Sequence, residues 1–460
     1  MLSHQRFRTK QKTQLLIGFF LTFKSICVFA APLGFEDAKH LLSRTGFGSP
    51  TYAEIQSIAK LEKETAVDTL LNANQADNFP PPSSDVLAFV SKSDIKDLSE
   101  QDKRALAAKV RGNARSLQAW WMERMIETPN PLTENMTLFW HGHFTSGVDK
   151  VKEPRLMYAQ NELLRKASLG NFAALLHAIA KDPAMLEYLD GARSKKNKPN
   201  ENFARELLEL YTMGEGHYTE SDIQNLAKAF TGWTIDRETG EFVENPKQMN
   251  RDEKTIFGQQ GNWSGDEAID LILSKPETAS WITSRLWQHF ISTKLDDKTR
   301  NQLAKSFASN YEIKPLVRSI LLSPAFWAKD NRGTQIKSPI DLAVSTIRLC
   351  PPESVNYEQL VNTTASWGEK LMEPPNVKGW PGGNTWINSN TLTLRNQWLQ
   401  TYAAGKKDKT HSKVSVKSCL NLLPKDLPLT TAYLSLAESS NQPVITNFAD
   451  LFSQPAFQLK

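Results

Sequence analysis

Cysteine and histidine are scarce in this chain. Three cysteines and eight histidines occur in 460 residues. That excludes a dense disulfide framework or a cysteine-rich metal cluster. Loud chemical signatures are missing too. There is no GxSxG elbow, no Walker A loop, no HExxH pair, no CxxCH attachment site and no dinucleotide fingerprint after a strand. No nucleotide, haem or flavin is therefore expected. Net charge largely disappears once the first thirty residues are set aside. They hold five of the 55 basic residues and no acidic one, which leaves 50 basic against 50 acidic. Nothing global then favours nucleic acid or an anionic membrane surface as a partner. With 40% apolar and 9% aromatic residues, the chain has enough material for a real core.

Residues 1–30 have their own character. Arg6, Arg8, Lys10 and Lys12 form a basic start, and "LLIGFFLTF" (15–23) is an apolar run. Val28 and Ala30 stand at the −3 and −1 positions of a cleavage site. The pattern predicts a secretory signal peptide and a periplasmic or extracellular mature protein. A retained membrane anchor is the rival, opposed by the short run and by Lys24. Cys27 is a poor lipid acceptor because bulky Ile26 precedes it. Cys350 and Cys419 remain, as one disulfide or as two buried thiols. A bridge across so long a loop contributes on the order of 2–4 kcal/mol.

Helical periodicity dominates the rest. Stretches at 36–48, 99–131, 171–191, 200–216, 221–233, 266–292 and 338–350 carry helical apolar spacing, with Gly or Pro at their ends. Residues 99–131 read as one long helix stopped by Pro129 and Pro131. "WTIDRETGEFVE" (233–244) alternates around a turn and predicts a hairpin. The expected fold is mainly α, a large multi-helix domain with a small β-hairpin insertion. Its parts are the signal peptide (1–30), a helical core domain (31–404), a mobile basic linker (405–418) and a short C-terminal helical segment (419–460) of the same domain.

Three segments have residues suited to chemistry. In "FWHGHF" (139–144), His141 and His143 would face one point if the segment were extended, and neutral imidazoles ligate transition metals. The alternative is two core histidines bonded to backbone. In "NENFARELLELY" (200–211), Glu206 and Glu209 are surface neighbours on a helix, and Arg205 lies beside them as an orienting residue. The alternative is a solvated face with local ion pairs. In "EPPNVKGWPGGNTWINSNTLTLRNQW" (373–398), Trp380, Trp386, Asn376 and Asn388 combine flat apolar faces with amides, a set that suits a sugar. The alternative is a rigid loop packed on the core.

The segments "HLLSRTGFG", "MTLFWHGHFTSG", "NENFARELLELYTMG", "AFTGWT", "KSPIDLAVSTIR", "EPPNVKGWPGG" and "SQPAFQLK" occur in that order. Together they resemble the bacterial family called domain of unknown function 1800, over essentially all of residues 36–460. The resemblance implies export and no established activity. It also implies an exported partner protein resembling sulfatases or alkaline phosphatases, because genes of the two kinds often adjoin. It adds weight to His141, His143, Glu206 and Glu209 acting together. Two departures count against that. Many members have His-Asp where this chain has Met249-Asn250, and His where it has Tyr211.

Three readings follow. The first is a divalent transition-metal site of His141, His143, Glu206 and Glu209, supporting hydrolysis or oxidation. The second is a scaffold that binds a glycan or a partner protein through the Trp/Asn/Gly loop, with membrane contact only through the signal segment. The third is a metal-free ion network of Arg205, Glu206 and Glu209 that ties helices together.

Overall fold

Polar caps set the punctuation of this chain. Ser99 accepts from the Asp102 amide, Asp182 from Met185 and Asn171 from Ala174, each satisfying an orphan donor at a helix start. Thr51 with Glu54, Thr219 with Asp222, Ser264 with Glu267 and Ser338 with Asp341 close full capping boxes. Pro131, Pro154, Pro183, Pro276 and Pro339 open helices, where the missing N–H costs nothing.

The computed structural model describes residues 31–73, 78–415, 419 and 448–460. The expected signal peptide and most of the C-terminal segment lie outside them. The first elements are α1 (Phe35–Thr45), α2 (Tyr52–Ala59), α3 (Lys63–Leu71), α4 (Lys92–Lys96), α5 (Glu100–Glu127) and α6 (Pro131–His143). Next come α7 (Val148–Val151), α8 (Pro154–Ala167), α9 (Phe172–Ala180) and α10 (Pro183–Tyr188). After these, α11 (Glu201–Glu206) widens into a π-helix (Leu207–Thr212), followed by α12 (Glu220–Ala229). Two hairpins follow, β1 (Trp233–Ile235) with β2 (Phe242–Glu244) and β3 (Lys254–Ile256) with β4 (Gln259–Gly261). The remainder is α13 (Gly265–Leu273), α14 (Pro276–Phe290), α15 (Asp297–Phe307), α16 (Ile313–Leu322), α17 (Pro324–Trp327), α18 (Pro339–Leu349), α19 (Tyr357–Ser366), α20 (Ser389–Ala403) and α21 (Phe448–Ser453). The fold is mainly α with small hairpin elements, as expected.

The first hairpin pairs Trp233 with Glu244 and Ile235 with Phe242, inside the predicted stretch. The second was not foreseen. Phe257 (φ 49°) and Gly258 (φ 76°) form its turn between Ile256 and Gln259. A two-residue turn with both φ positive fits the twist of the strands, but phenylalanine is a poor sequence signal for it.

Pro32–Lys460 gather into one unit around a continuous core. Trp121, Trp140, Trp367, Tyr211, Tyr402, Phe144, Phe172 and Phe290 are fully buried in it. Helix α5 crosses from surface to core. Leu117, Trp121, Met122 and Met125 are buried, whereas its first sixteen residues, 100–115, are exposed or only partly covered. The predicted long helix ends at Glu127, and Pro131 starts α6 instead of merely stopping α5.

The basic stretch after α20 carries several hydrogen bonds over its described part, 405–415. Asp408 accepts from the amides of Thr410 (2.7 Å) and His411 (3.1 Å). Trp398 donates to Thr410 Oγ1 at 3.0 Å, and Thr410 and His411 are buried. An aspartate turn and one tryptophan thus anchor part of this lysine-rich stretch. Cys350 and Cys419 form a disulfide.

Candidate functional site

The histidine pair sits on a helix. Pro131 starts α6, and helical backbone continues through Gly142 to His143. Residues i and i+2 on a helix point about 200° apart, so the two rings diverge instead of facing one point. His143 Nε2 meets the Tyr211 carbonyl oxygen at 3.0 Å, among Trp140, Phe144 and Tyr211. Burial, with Arg285 nearby, pushes its pKa down to about 3 against the opposing pull of the Tyr211 bond. His141 lies edge-on to Trp121 at 5.4 Å and tilted against Trp380 at 5.8 Å. Burial alone lowers its pKa to about 4, and its Nε2 has no hydrogen-bond partner among the described residues.

The partner of His143 exists because the next segment changes pitch. In the π-helix, Thr212 Oγ1 donates to Leu207 O (2.6 Å), and the Met213 amide donates to Leu208 O (2.9 Å). The carbonyls near its end need other donors. Trp281 Nε1 takes Leu210 O at 2.9 Å, and His143 takes Tyr211 O. The Tyr211 ring packs edge-on to Phe144, with its hydroxyl 3.5 Å from the Thr145 carbonyl.

Glu206 and Glu209 lie on the outer side of this segment. Burial first, and Glu209 second, raise the Glu206 carboxyl, while Lys378 and Arg205 oppose the rise. Glu209 accepts from Tyr218 OH at 3.4 Å and stands 3.7 Å from Lys378 Nζ. Arg205 turns away to Glu220 (3.0 and 2.6 Å) and to Glu201 (3.6 Å). Among the described residues, no three His, Cys, Asp or Glu side chains stand where they could hold one metal ion. The four expected ligands therefore do not form one set in this conformation. Nor do Arg205, Glu206 and Glu209 form a buried network. The buried network is elsewhere and was missed. Glu134 bonds Arg124 Nε (3.1 Å), Arg165 Nη2 (3.0 Å) and Trp121 Nε1 (2.9 Å), and Glu162 bonds Arg124 and Arg165. Burial would raise the Glu134 carboxyl, but the arginines and Trp121 hold it below its ordinary value.

The Trp/Asn/Gly loop closes on the same junction. Gly379 has φ 79°, and a side chain there would run into the Gly142 carbonyl oxygen. A Cβ on Gly142 would lie 3.6 Å from the Trp380 ring. Gly379 is therefore what lets the loop and α6 touch, whereas a Cβ on Gly142 would be in ordinary contact. Trp380 is partly covered, and its buried Nε1 has no partner among the described residues. Trp386 is buried in the core beneath Gly368. Asn388 caps α20, and Asn376 accepts from the Lys378 amide in its own turn. The three distinctive segments thus meet, and they meet by packing. Asn250 lies at another turn, its amide on Thr231 Oγ1 at 2.7 Å.

Open space lies along the exposed half of α5. A half-open groove there encloses about 1110 Å³. One wall is α5 from Lys103 to Gln118. The other is built by the Phe89–Lys96 segment, by residues 148–156 and by Ile235 and Arg237 of the first hairpin region. Phe89, Val90, Ile95, Val148, Pro154 and Ile235 give the second wall an apolar surface, and Ile95 is 40% exposed. Four lining cations, Lys92, Lys96, Arg111 and Lys152, have no ion-pair partner among the described residues. Arg115, Arg237 and Lys370 are paired, with Glu358, Glu187 and Glu373. Glu153 sits in the wall with a buried, unpartnered Oε1, and burial raises its carboxyl. Sequence reading missed this groove. Its signal was the change inside α5 from polar "KRALAAKVRGNARS" (103–116) to apolar "LQAWWMERMI" (117–126).

No helix of the described residues is long and apolar enough to cross a membrane. No curated protein and no solved structure matches the chain. The family model described as "Protein of unknown function (DUF1800)" matches residues 40–459, and the chain belongs to that family.

Proposed function

We propose that this protein is an exported binding domain whose working site is the groove along α5. The observation that carries the reading is the combination of about 1110 Å³ of open space, apolar walls and four unpaired cations. Apolar lining with a few placed polar groups is what ligand sites share. Here it selects an amphipathic ligand with negative charge. Export is supported by the basic and apolar start of the chain and by the Cys350–Cys419 bridge, which persists best in an oxidising compartment.

The test uses bis-ANS, an amphipathic anionic dye. Full chain and mature protein should bind it saturably, with fluorescence enhancement. Val110→Arg should cut the enhancement severalfold, and Trp380→Phe should leave it unchanged. Equal enhancement in wild type and Val110→Arg would overturn the groove reading. Export is tested by N-terminal sequencing of protein recovered outside the cytoplasm. Ala31 is the expected first residue, and an intact Met1 would contradict it.

A further inference from the structure

The α5 wall of the groove has a regular pattern. Leu106, Ala107, Val110 and Ala114 line it at helical spacing, flanked by Lys103 and Arg111. Counted from Lys103 these positions recur at i, i+3, i+4, i+7, i+8 and i+11, so they form one continuous stripe. From Lys103 to Gln118 the stripe runs about 22 Å, at 1.5 Å per residue. It faces open space.

We infer that the groove receives an acidic amphipathic helix of a partner polypeptide, which lies alongside α5. This rests on the groove being the binding site, and it names the occupant. Ala107 and Ala114 are small enough to admit a second helix close to α5, and Leu106 and Val110 offer ridges between them. An amphipathic helix laid into an apolar groove presents anchors at i, i+3, i+4 and i+7, which can pack between the apolar Leu106, Ala107, Val110 and Ala114 of α5. Charge decides against a single-headed ligand. Arg111 stands on α5 and Lys92, Lys96 and Lys152 come from the facing wall, whereas Lys103 is already paired with Glu100 at 2.9 Å. A fatty acid or similar lipid carries its anion at one end and satisfies one such position. A helix with carboxylates every two turns satisfies several at once, and it leaves its outer face in water at the open side of the groove.

The probe is a synthetic, dye-labelled 18-residue peptide with leucines at i, i+3, i+4 and i+7 and glutamates flanking them. Fluorescence anisotropy with the full chain should show saturable binding that weakens as salt rises. Val110→Arg should weaken it at least tenfold. The double variant Lys96→Glu/Arg111→Glu should also lose the acidic peptide but gain a lysine version of the same pattern. That gain shows the variant is folded. Equal binding of a sequence-scrambled acidic peptide would overturn the inference. So would displacement of bis-ANS by a long-chain fatty acid but not by the peptide, which would leave the groove reading standing. Self-association of the full chain that Val110→Arg abolishes would name a second copy as occupant and would likewise overturn it. Failure of the dye, the peptide and the fatty acid alike would sink both readings.

Discussion

The junction around Gly142 and the groove along α5 lie on opposite sides of one question. The junction holds the chain's most distinctive residues, most of them buried. His141 packs on Trp380 and His143 on Tyr211, ring against ring, and the bare Gly379 lets backbone meet backbone at Gly142. The groove holds ordinary residues, Leu, Val, Ala and Lys, and leaves them uncovered. Distinctive sequence marks where packing is most demanding, because few residue types fit there. Unfilled space and unpaired charge mark where something else can bind.

That contrast can be broken by mutation, and the largest effect belongs beneath the junction. Glu134→Ala leaves Arg124 and Arg165 buried without their main carboxylate. The expected loss is roughly 3–5 kcal/mol, read by urea denaturation. Replacing both cysteines of the Cys350–Cys419 bridge should cost about 2–4 kcal/mol in the same assay. Gly379→Ala forces a side chain at positive φ against Gly142, for about 1–3 kcal/mol. Each variant that still folds should bind bis-ANS as the wild type does.

The histidines make a pH test. Buried His143 keeps a pKa of about 3, well below its unfolded value near 6.5. Between those values the unfolded chain binds more protons, so this contribution is full above about pH 6.5 and is lost as pH falls toward the folded pKa. Asp182 and Glu369, both raised to about 7 by burial, act in the opposite sense over the same range. The informative quantity is therefore a difference. His143→Gln should show a shallower fall in unfolding free energy between pH 7 and pH 5 than the wild type. Identical slopes would mean that His143 is not held neutral by burial. The smallest stability effect belongs to the groove, where Val110→Arg should stay within about 0.5 kcal/mol of the wild type while cutting bis-ANS enhancement severalfold.

Much of the fold was legible because its signals are local. Capping boxes at Thr219, Ser264 and Ser338 and prolines at helix starts announce themselves within four residues. The hairpin at 233–244 was legible by alternation. The HxH geometry depends on its backbone, since i and i+2 share a face only in an extended segment. Pro131 had already started a helix that runs through Gly142. The Trp/Asn loop was legible as a rigid turn, but Trp386 and Asn388 went to packing and capping. The groove was hidden because it depends on what fails to cover α5. A single helix keeps one periodicity whether its face meets a neighbour or water, and only tertiary structure tells the two apart.

The most direct test of the central claim is photo-incorporation of bis-ANS into the mature protein, mapped by peptide mass spectrometry. The account predicts label within residues 89–118 and 148–156, competed by the acidic helical peptide. Label concentrated at 376–398, or spread evenly over the surface, would contradict it.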